Sequence, residues 1–359
     1  MKQFILFLSF ICAICSTSMA QTMLSDYKPG NTADGAVYFL PKTNIRVSIL
    51  VEKATYQPGE FSKYAMRFLR MNNVEQQPST LYRVLSIKQT PVAVADSTKG
   101  YSVKFNIKTV AANVVLSEDG RLLAINAQPR QTAEPETFTA APKEQRANPR
   151  TFMNEEILAA GSTAKMAELT AREIYDLREN RNLLIKGQAD FMPHDGAQMQ
   201  LMLNQLDIQD KALTSMFTGT TDRDTTEIIL NVNPEGDIQH QVLFRLSQRL
   251  GIVDADDLAG EPYYIDVEDL KSVPEADETA KSKKKKKQPE SGIYVNVPDR
   301  MRSTIYKGTN QISVVEMPAP QFGNVELLSA ELFNKRYTTH LWLNPLTGAV
   351  DKLEAEQPK

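Results

Sequence analysis

Apolar and polar residues alternate along two long stretches of the chain, from 35 to 126 and again after Thr220. Runs such as 45–51 are rich in β-branched and aromatic side chains and are bounded by Pro, Gly and Asn. A period of two places successive side chains on opposite faces of a strand, so both stretches are predicted to form β-sheet. Residues 117–121 predict a hairpin turn, and residues 61–69 have the spacing of one short helix.

The middle of the chain has a period of 3.6 residues instead. Apolar residues fall on one side of a helical wheel over 154–186, and a second apolar stripe covers 195–217. Thr170 and Glu173 have the spacing of a capping box and predict an internal break, whereas Gly187 is well placed to end the first helix. Two helices joined by a short connection predict an antiparallel helical hairpin.

These periods predict an α+β fold in which two strand-rich, β-sandwich-like domains flank a long antiparallel helical hairpin. About 340 residues remain after a leader is removed, which is enough for domains with cores of their own. The segment 272–291 has almost no apolar side chains and contains a lysine run, so it is predicted to be a disordered loop. The predicted units are an N-terminal β domain at 21–127, a linker at 128–149, the hairpin at 150–219 and a C-terminal β domain at 220–359.

The first twenty residues predict a cleavable signal peptide. Lys2 precedes an unbroken apolar run over 4–14, and small residues up to Ala20 form a signal peptidase site with Gln21 as the new N-terminus. The apolar run is about half of the roughly 20 residues that span a bilayer, so we expect no transmembrane segment once the leader is removed. We therefore expect a periplasmic or secreted protein of the cell envelope.

Composition narrows the chemistry further. The only cysteines, Cys12 and Cys15, lie inside the leader, so the mature chain has no thiol for a disulfide, a metal or a nucleophile. The formal net charge is −3, and it falls to about −10 when Lys2 and the six lysines between 281 and 287 are set aside. An acidic body with one short basic run excludes a nucleic-acid binder, which needs many phosphate contacts.

Candidate catalytic residues are few. The histidines His194, His240 and His340 are scattered and form no paired zinc motif, so we predict no metal, no cofactor and no assigned catalytic residue. Ser162 and Lys165 have the spacing of the serine–lysine pair of penicillin-binding enzymes, and 294–296 imitates the second element of that set. Its Lys-Thr-Gly strand is missing, so we interpret this pair as the polar face of a helix.

An acidic cluster at 254–257 precedes Gly260 and invites comparison with a calcium-binding loop. Such a loop needs oxygen ligands at its first, third and fifth positions and a carboxylate at its twelfth. Here the fifth position is Leu258 and the twelfth is Ile265, so we predict a capped, solvent-exposed turn.

Several motifs are spread over nearly the whole mature chain. They are YFLPKT at 38–43, YQPGEF at 56–61, EILAAGS at 156–162, YDLR at 175–178 and VDADDLAG at 253–260. Together they resemble the family called domain of unknown function 4831. The resemblance implies an exported protein of similar length to others from Gram-negative anaerobes and a single architecture, and it implies no activity.

The function predicted from the sequence is a non-enzymatic binding or scaffold protein of the cell envelope, with an envelope protein or a glycan as partner. The methionine-bearing hairpin and the strand edges are expected to dock partners. One alternative is an envelope or carbohydrate-active hydrolase whose carboxylates or Ser162 meet only in the fold. Another is sugar capture on an aromatic platform. Its candidate residues are Tyr263, Tyr264, Tyr294 and Trp342.

Overall fold

The structure is a computed structural model of the chain. The predicted signal peptide at 1–20 and most of the predicted loop at 272–291 lie outside the described residues. The structure describes residues 31–32, 35–103, 113–130, 135–143, 145–274, 292–333 and 337–357.

The chain is strand-rich, and its first sheet is built on one long hairpin. The strands β2 (Gly35–Gln57) and β3 (Ser79–Val103) pair antiparallel along most of their length. The short strand β1 (Asn31–Thr32) pairs with the start of β2. Between β2 and β3, the predicted short helix is confirmed as a 3-10 turn, Ser62–Tyr64, followed by α1, Ala65–Leu69.

Two further sheets are also antiparallel. The second contains β7 (Ile238–Ser247), β8 (Gly251–Val253), β9 (Glu261–Asp269), β10 (Gly292–Lys307) and β11 (Asn310–Ser329). The third contains β4 (Val114–Leu116), β5 (Leu122–Ile125), β12 (Thr338–Leu343) and β13 (Val350–Glu356). The strand order is β11-β10-β9-β7-β8 in the second sheet and β13-β12-β5-β4 in the third. The predicted turn at 117–121 joins β4 and β5, where the Ser117 N–H donates to the Arg121 carbonyl oxygen at 2.9 Å.

The helical middle contains a short helix, α2 (Glu155–Leu158), and two long ones, α3 (Thr163–Lys186) and α4 (Gly196–Thr218). Ion pairs link α3 and α4. They run antiparallel, because Arg178 pairs with Asp210 and the later Arg181 pairs with the earlier Asp207. Within the described part of the chain, no helix combines the length and the hydropathy needed to cross a bilayer. Two further 3-10 turns cover Pro149–Phe152 and Ala330–Phe333.

The helix break predicted at Thr170 is wrong, because the chain leaves the helix earlier, between α2 and α3. Ser162 there has an extended backbone, and its hydroxyl accepts a hydrogen bond from the Lys165 N–H at 3.2 Å, which makes it the N-cap of α3. Thr170 lies inside α3, where its hydroxyl donates to the Met166 carbonyl oxygen at 2.8 Å. That bond satisfies the hydroxyl within the helix, so no break is needed.

The main core lies between the first and second sheets. Alternate residues of β2, including Ile45 and Ile49, meet inward residues of the second sheet such as Ile265 and Ile305, and all four are fully buried. Since strand side chains alternate between faces, the residues next to these point to the opposite, outer faces of the two sheets. Those outer faces are where the candidate sites lie.

The division into two separate strand-rich domains is not confirmed. The strand β6 (Thr220–Val232), from the C-terminal stretch, pairs with β2, and β12 pairs with β5. The reason is that β2 and β10 are long enough to reach two hydrophobic cores. One end of β2, with Tyr38 and Leu40, packs in the core of the third sheet, whereas the middle of the strand packs in the main core. The strand β10 spans the same two cores, so strands of both predicted domains share their sheets and cores.

The helical hairpin meets the first sheet at two glycines. A Cβ atom on Gly59 would lie 2.1 Å from the carbonyl oxygen of Met216, and one on Gly219 would lie 2.4 Å from the carbonyl oxygen of Gln57. Gly219 also has φ +75°, which L side chains rarely adopt. Phe61 and Phe217 pack together beside this junction in the buried helical core. The end of α4 is thereby held against the end of β2.

Described residues of the predicted linker lie along the outer edge of β6. Lys143 pairs with Asp224 at 2.7 Å and Arg146 pairs with Asp222 at 2.8 Å. The Phe138 N–H lies 3.4 Å from a carboxylate oxygen of Glu227, farther than a normal hydrogen bond. Covering an exposed strand edge in this way blocks unwanted pairing with other chains.

Candidate functional site

The predicted Ser162, Lys165 and Asn296 do not share a pocket. Ser162 caps α3, and the ammonium group of Lys165 pairs with Glu168 at 3.1 Å on the exposed surface of that helix. Asn296 is buried instead, and its amide donates to the carbonyl oxygens of Pro41 and Thr347 at 2.9 Å each. The contacts of these residues therefore indicate structural roles, a helix cap and a buried link between strands.

The acidic cluster at 254–257 forms the capped turn that the sequence predicts. The Asp257 N–H donates to the Asp254 carbonyl oxygen, and the Asp257 carboxylate accepts a hydrogen bond from the Ala259 N–H at 2.8 Å. His194 lies in the connection between α3 and α4, and His340 lies on β12. Among the described residues, no three His, Cys, Asp or Glu side chains converge as a metal site.

The four aromatic candidates lie in different places. Tyr263 is buried in the main core, where its ring stacks on that of Phe244 with a centroid separation of 4.4 Å. Tyr294 stacks on Tyr101 beside the core of the third sheet. Trp342 lies on β12 of the third sheet, and its indole N–H donates to the carbonyl oxygen of Gln128 in the linker. A shared platform of these residues is therefore absent from the described structure.

Tyr264 alone lies on the outer face of the second sheet, within a stacked ladder of rings. Its ring centroid is 4.0 Å from that of His240 and 5.6 Å from that of Tyr306. The Tyr306 hydroxyl donates to Asp266 at 3.0 Å and lies 2.9 Å from Nδ1 of His240. Desolvation and the bond to Asp266 raise the pKa of Tyr306. The rings cover one another's faces, so this patch is filled by its own side chains.

The outer face of the first sheet differs, because it contains a cleft of about 490 Å³. Ala54 lies at its centre, between Arg223 on β6 and Leu81 on β3. A methyl side chain surrounded by larger ones leaves a depression. Three rows of side chains across the sheet form this region: Thr225, Glu52 and Arg83, then Arg223, Ala54 and Leu81, then Thr221, Tyr56 and Ser79.

A buried carboxylate organises one end of the cleft. Oε1 of Glu52 accepts hydrogen bonds from Nε of Arg83 at 2.7 Å and from Nη1 of Arg223 at 2.8 Å, and its Oε2 accepts one from Nη2 of Arg83 at 3.1 Å. The hydrogen bond from Arg83 and the charge of Arg223 hold the pKa of Glu52 below its ordinary value. The carboxylate therefore stays ionised at neutral pH and holds both guanidinium groups in place.

Both guanidinium groups keep unused hydrogen-bond donors. An arginine side chain has five N–H donors, and the bonds to Glu52 use two of those on Arg83 and one on Arg223. The other donors have no partner within the residues that the structure describes. The two side chains are 63% and 56% exposed, so these donors are open to a ligand.

The opposite end of the cleft is acidic. The Tyr56 hydroxyl lies 2.7 Å from the carbonyl oxygen of Glu75 and 3.0 Å from that of Thr218, which fixes its position. The Glu75 carboxylate accepts a hydrogen bond from the Ser79 hydroxyl at 3.1 Å. Desolvation, and then the charge of Glu75, raise the pKa of Tyr56. Between the two ends, Leu81 gives the cleft an apolar wall.

Sequence reasoning did not single out the charged residues of this cleft. Glu52 is 31 positions from Arg83 and 171 from Arg223, so no local motif contains them. Glu52 follows the alternating run 45–51 in phase with the polar residues Arg46 and Ser48, so the sequence pattern gives no sign that its carboxylate is buried. Tyr56 of the cleft lies in the YQPGEF motif at 56–61.

Comparison with known protein families identifies one family for this chain. A family model described as Domain of unknown function (DUF4831) matches residues 34–351. The chain belongs to this family. The matched range contains the helical hairpin and every residue of the cleft, so both are parts of the family domain. No curated protein and no solved structure matches the chain significantly.

Proposed function

We propose that this chain is an exported, non-enzymatic binding protein of the cell envelope that takes a small ligand into the cleft around Ala54. One observation carries the proposal: two guanidinium groups, fixed by a buried carboxylate, present unused donors to an open cleft. Small-molecule sites combine an apolar surface with a few well-placed polar groups and have volumes of about 300 to 1,000 Å³. The volume and lining of this cleft fit that description.

Binding is tested by isothermal titration calorimetry on the purified mature chain. The probes are short peptides, galacturonate, a neutral monosaccharide and inorganic phosphate. We expect at least one probe to bind, and we expect Ala54→Phe, which fills the centre of the cleft, to abolish that binding.

The matched control is Thr304→Phe, which adds the same ring to the outer face of the second sheet. Circular dichroism confirms that each variant is folded. Absence of binding by every probe, or binding that Ala54→Phe leaves unchanged, would contradict the proposal.

Export is supported by the predicted leader and is tested separately. We expect protein from the periplasmic fraction or the medium to begin at Gln21 when its N-terminus is sequenced. Recovery of the chain only from the cytoplasm, with Lys2 and the apolar run still attached, would show that this part of the proposal is wrong.

A second role, as a scaffold, is favoured by the free end of the helical hairpin. Phe191 is 87% exposed there and Leu201 68%, next to an apolar groove of about 430 Å³ between α3 and α4. Exposed apolar patches of this kind mark interaction surfaces. An envelope protein with an apolar segment is the partner that fits the groove.

The scaffold role is tested by crosslinking and pull-down from the envelope fraction. We expect Phe191→Ser to lose a partner that the wild type recovers. Leu258→Ser is the matched control, because Leu258 is 85% exposed in the turn between β8 and β9. Equal recovery by both variants would remove the hairpin end from the proposal.

A further inference from the structure

We infer that the ligand of the cleft is a short peptide of three or four residues with a free C-terminal carboxylate. Its carboxylate lies on the guanidinium groups of Arg83 and Arg223, and its N-terminal ammonium group lies at Glu75. The inference rests on the proposed function, since it names the ligand of the same cleft.

The guanidinium end selects an anionic, planar group. The charges of Arg83, Arg223 and Glu52 sum to one positive charge at this end. A guanidinium group presents parallel N–H donors that match the two oxygens of a carboxylate. Because Glu52 already fixes both side chains, a ligand does not have to order them on binding, which favours affinity.

The Glu75 end selects a cation. Glu75 lines the cleft, and its carboxylate forms no ion pair with a Lys or Arg among the described residues. A ligand with negative charge alone, such as phosphate, would be attracted at one end of the cleft and repelled at the other. A ligand with an ammonium group and a carboxylate suits both ends.

The separation of the two ends sets the length of the ligand. Glu52 pairs with Arg83 across the sheet, whereas Tyr56, which contacts Glu75, is four residues further along β2. At roughly 3.3 Å per strand residue, the two positions are about 13 Å apart. The charged groups of one free amino acid are only about 3 Å apart, while each added extended residue contributes up to about 3.6 Å. Three or four residues therefore span the cleft.

The middle of the cleft favours small apolar side chains in the ligand. The methyl side chain of Ala54 fills little of the cleft, and Leu81 is 53% exposed beside it. Apolar side chains of a bound peptide would cover this leucine and gain from leaving water. Trialanine and tetraalanine are therefore suitable probes.

The test measures, by calorimetry on the full mature chain, how free and blocked peptides bind the wild type and its variants. We expect trialanine or tetraalanine to bind the wild type, and we expect amidation of the C-terminus or acetylation of the N-terminus to weaken binding by about tenfold or more. Arg223→Ala should remove the preference for the free carboxylate, and Glu75→Gln the preference for the free amine. Arg302→Ala, which removes a paired arginine of the second sheet, should change neither.

Each preference is a ratio measured on one variant, so a partial loss of folded protein does not affect it. Equal binding of free and blocked peptides by the wild type would overturn the inference. Binding of galacturonate or phosphate, but of neither peptide, with loss in Ala54→Phe would overturn it while leaving the proposed function standing. If no probe binds, both proposals fail.

Discussion

The first and second sheets share one core but have different outer faces. On the second sheet, Tyr264 and Tyr306 stack with His240 over the surface, and Asp266 accepts hydrogen bonds from within the same group. On the first sheet, the central position holds Ala54, and a cleft opens above it. Both sheets are antiparallel, but aromatic rings cover the outer face of the second sheet, whereas the small side chain of Ala54 leaves a depression on the first.

The two outer faces also differ in how fully their arginine side chains are paired with carboxylates. Arg302 on the second sheet lies between Glu316 and Glu268, and Arg300 also pairs with Glu316, so two arginines there share two carboxylates. On the first sheet, Arg83 and Arg223 share the single carboxylate of Glu52. A surplus of fixed donors beside an empty volume indicates a site for a ligand, whereas a surface whose groups satisfy one another does not.

The largest expected effect concerns the core that the two sheets share. Ile49 and Ile305 are fully buried on the inner faces of β2 and β10. We expect Ile49→Ala and Ile305→Ala each to lower the free energy of unfolding by about 2 to 5 kcal/mol, because each leaves a cavity. Urea unfolding measures this, and a cost well below 1 kcal/mol for either variant would show that the sheets do not share a tight core.

The next effect tests the junction beside the cleft. Gly219→Ala should lower the free energy of unfolding by more than Gly187→Ala. Gly187 has a left-handed helical conformation, which costs an L side chain about 1 to 2 kcal/mol. Gly219 combines φ 75° with ψ −173°, a conformation that is essentially restricted to glycine, and its added Cβ also meets backbone and the ring of Tyr56. Thermal unfolding of the two variants compares them directly. Equal losses would mean that the helical hairpin is not held closely against β2.

A smaller effect separates the ring ladder from the cleft. Tyr264→Ala removes two ring contacts and should lower the free energy of unfolding by about 1 kcal/mol, while leaving binding in the cleft unchanged. Chemical denaturation and calorimetry with the cleft probe measure the two quantities. A loss of ligand affinity in this variant would show that the two outer faces are coupled.

The smallest effect is the pH dependence that Glu52 contributes. Its pKa is lowered in the folded chain, so its stabilising contribution is complete above the ordinary value of 4.5 and is lost as the pH falls below it. We expect Glu52→Gln to reduce the loss of stability on acidification, relative to the wild type. Urea midpoints at neutral pH and on the acid side of 4.5 measure this, and parallel curves for both proteins would remove Glu52 from the acid transition.

Much of the local structure follows from short stretches of sequence. The end of α3 at Gly187, the start of α4 after Asp195 and the turn at 117–121 agree with prediction, because neighbouring residues supply the caps and the positive φ values. The break predicted from the capping-box spacing of Thr170 and Glu173 was wrong, because that spacing does not reveal that Thr170 is fully buried within α3. The helix instead begins after Ser162, whose hydroxyl supplies the cap.

Which strands pair, and where the cleft lies, could be learned only from the tertiary structure. Alternation of apolar and polar residues establishes that β2, β6 and β12 are strands with one buried face, since that depends on nearest neighbours only. It contains no information on which strands pair, and so it did not predict that β6 joins β2 or that β12 joins β5. Glu52, Arg83 and Arg223 meet through that pairing, across long separations in the chain. Their shared hydrogen bonds, and the space above Ala54, exist only once three distant strands lie side by side.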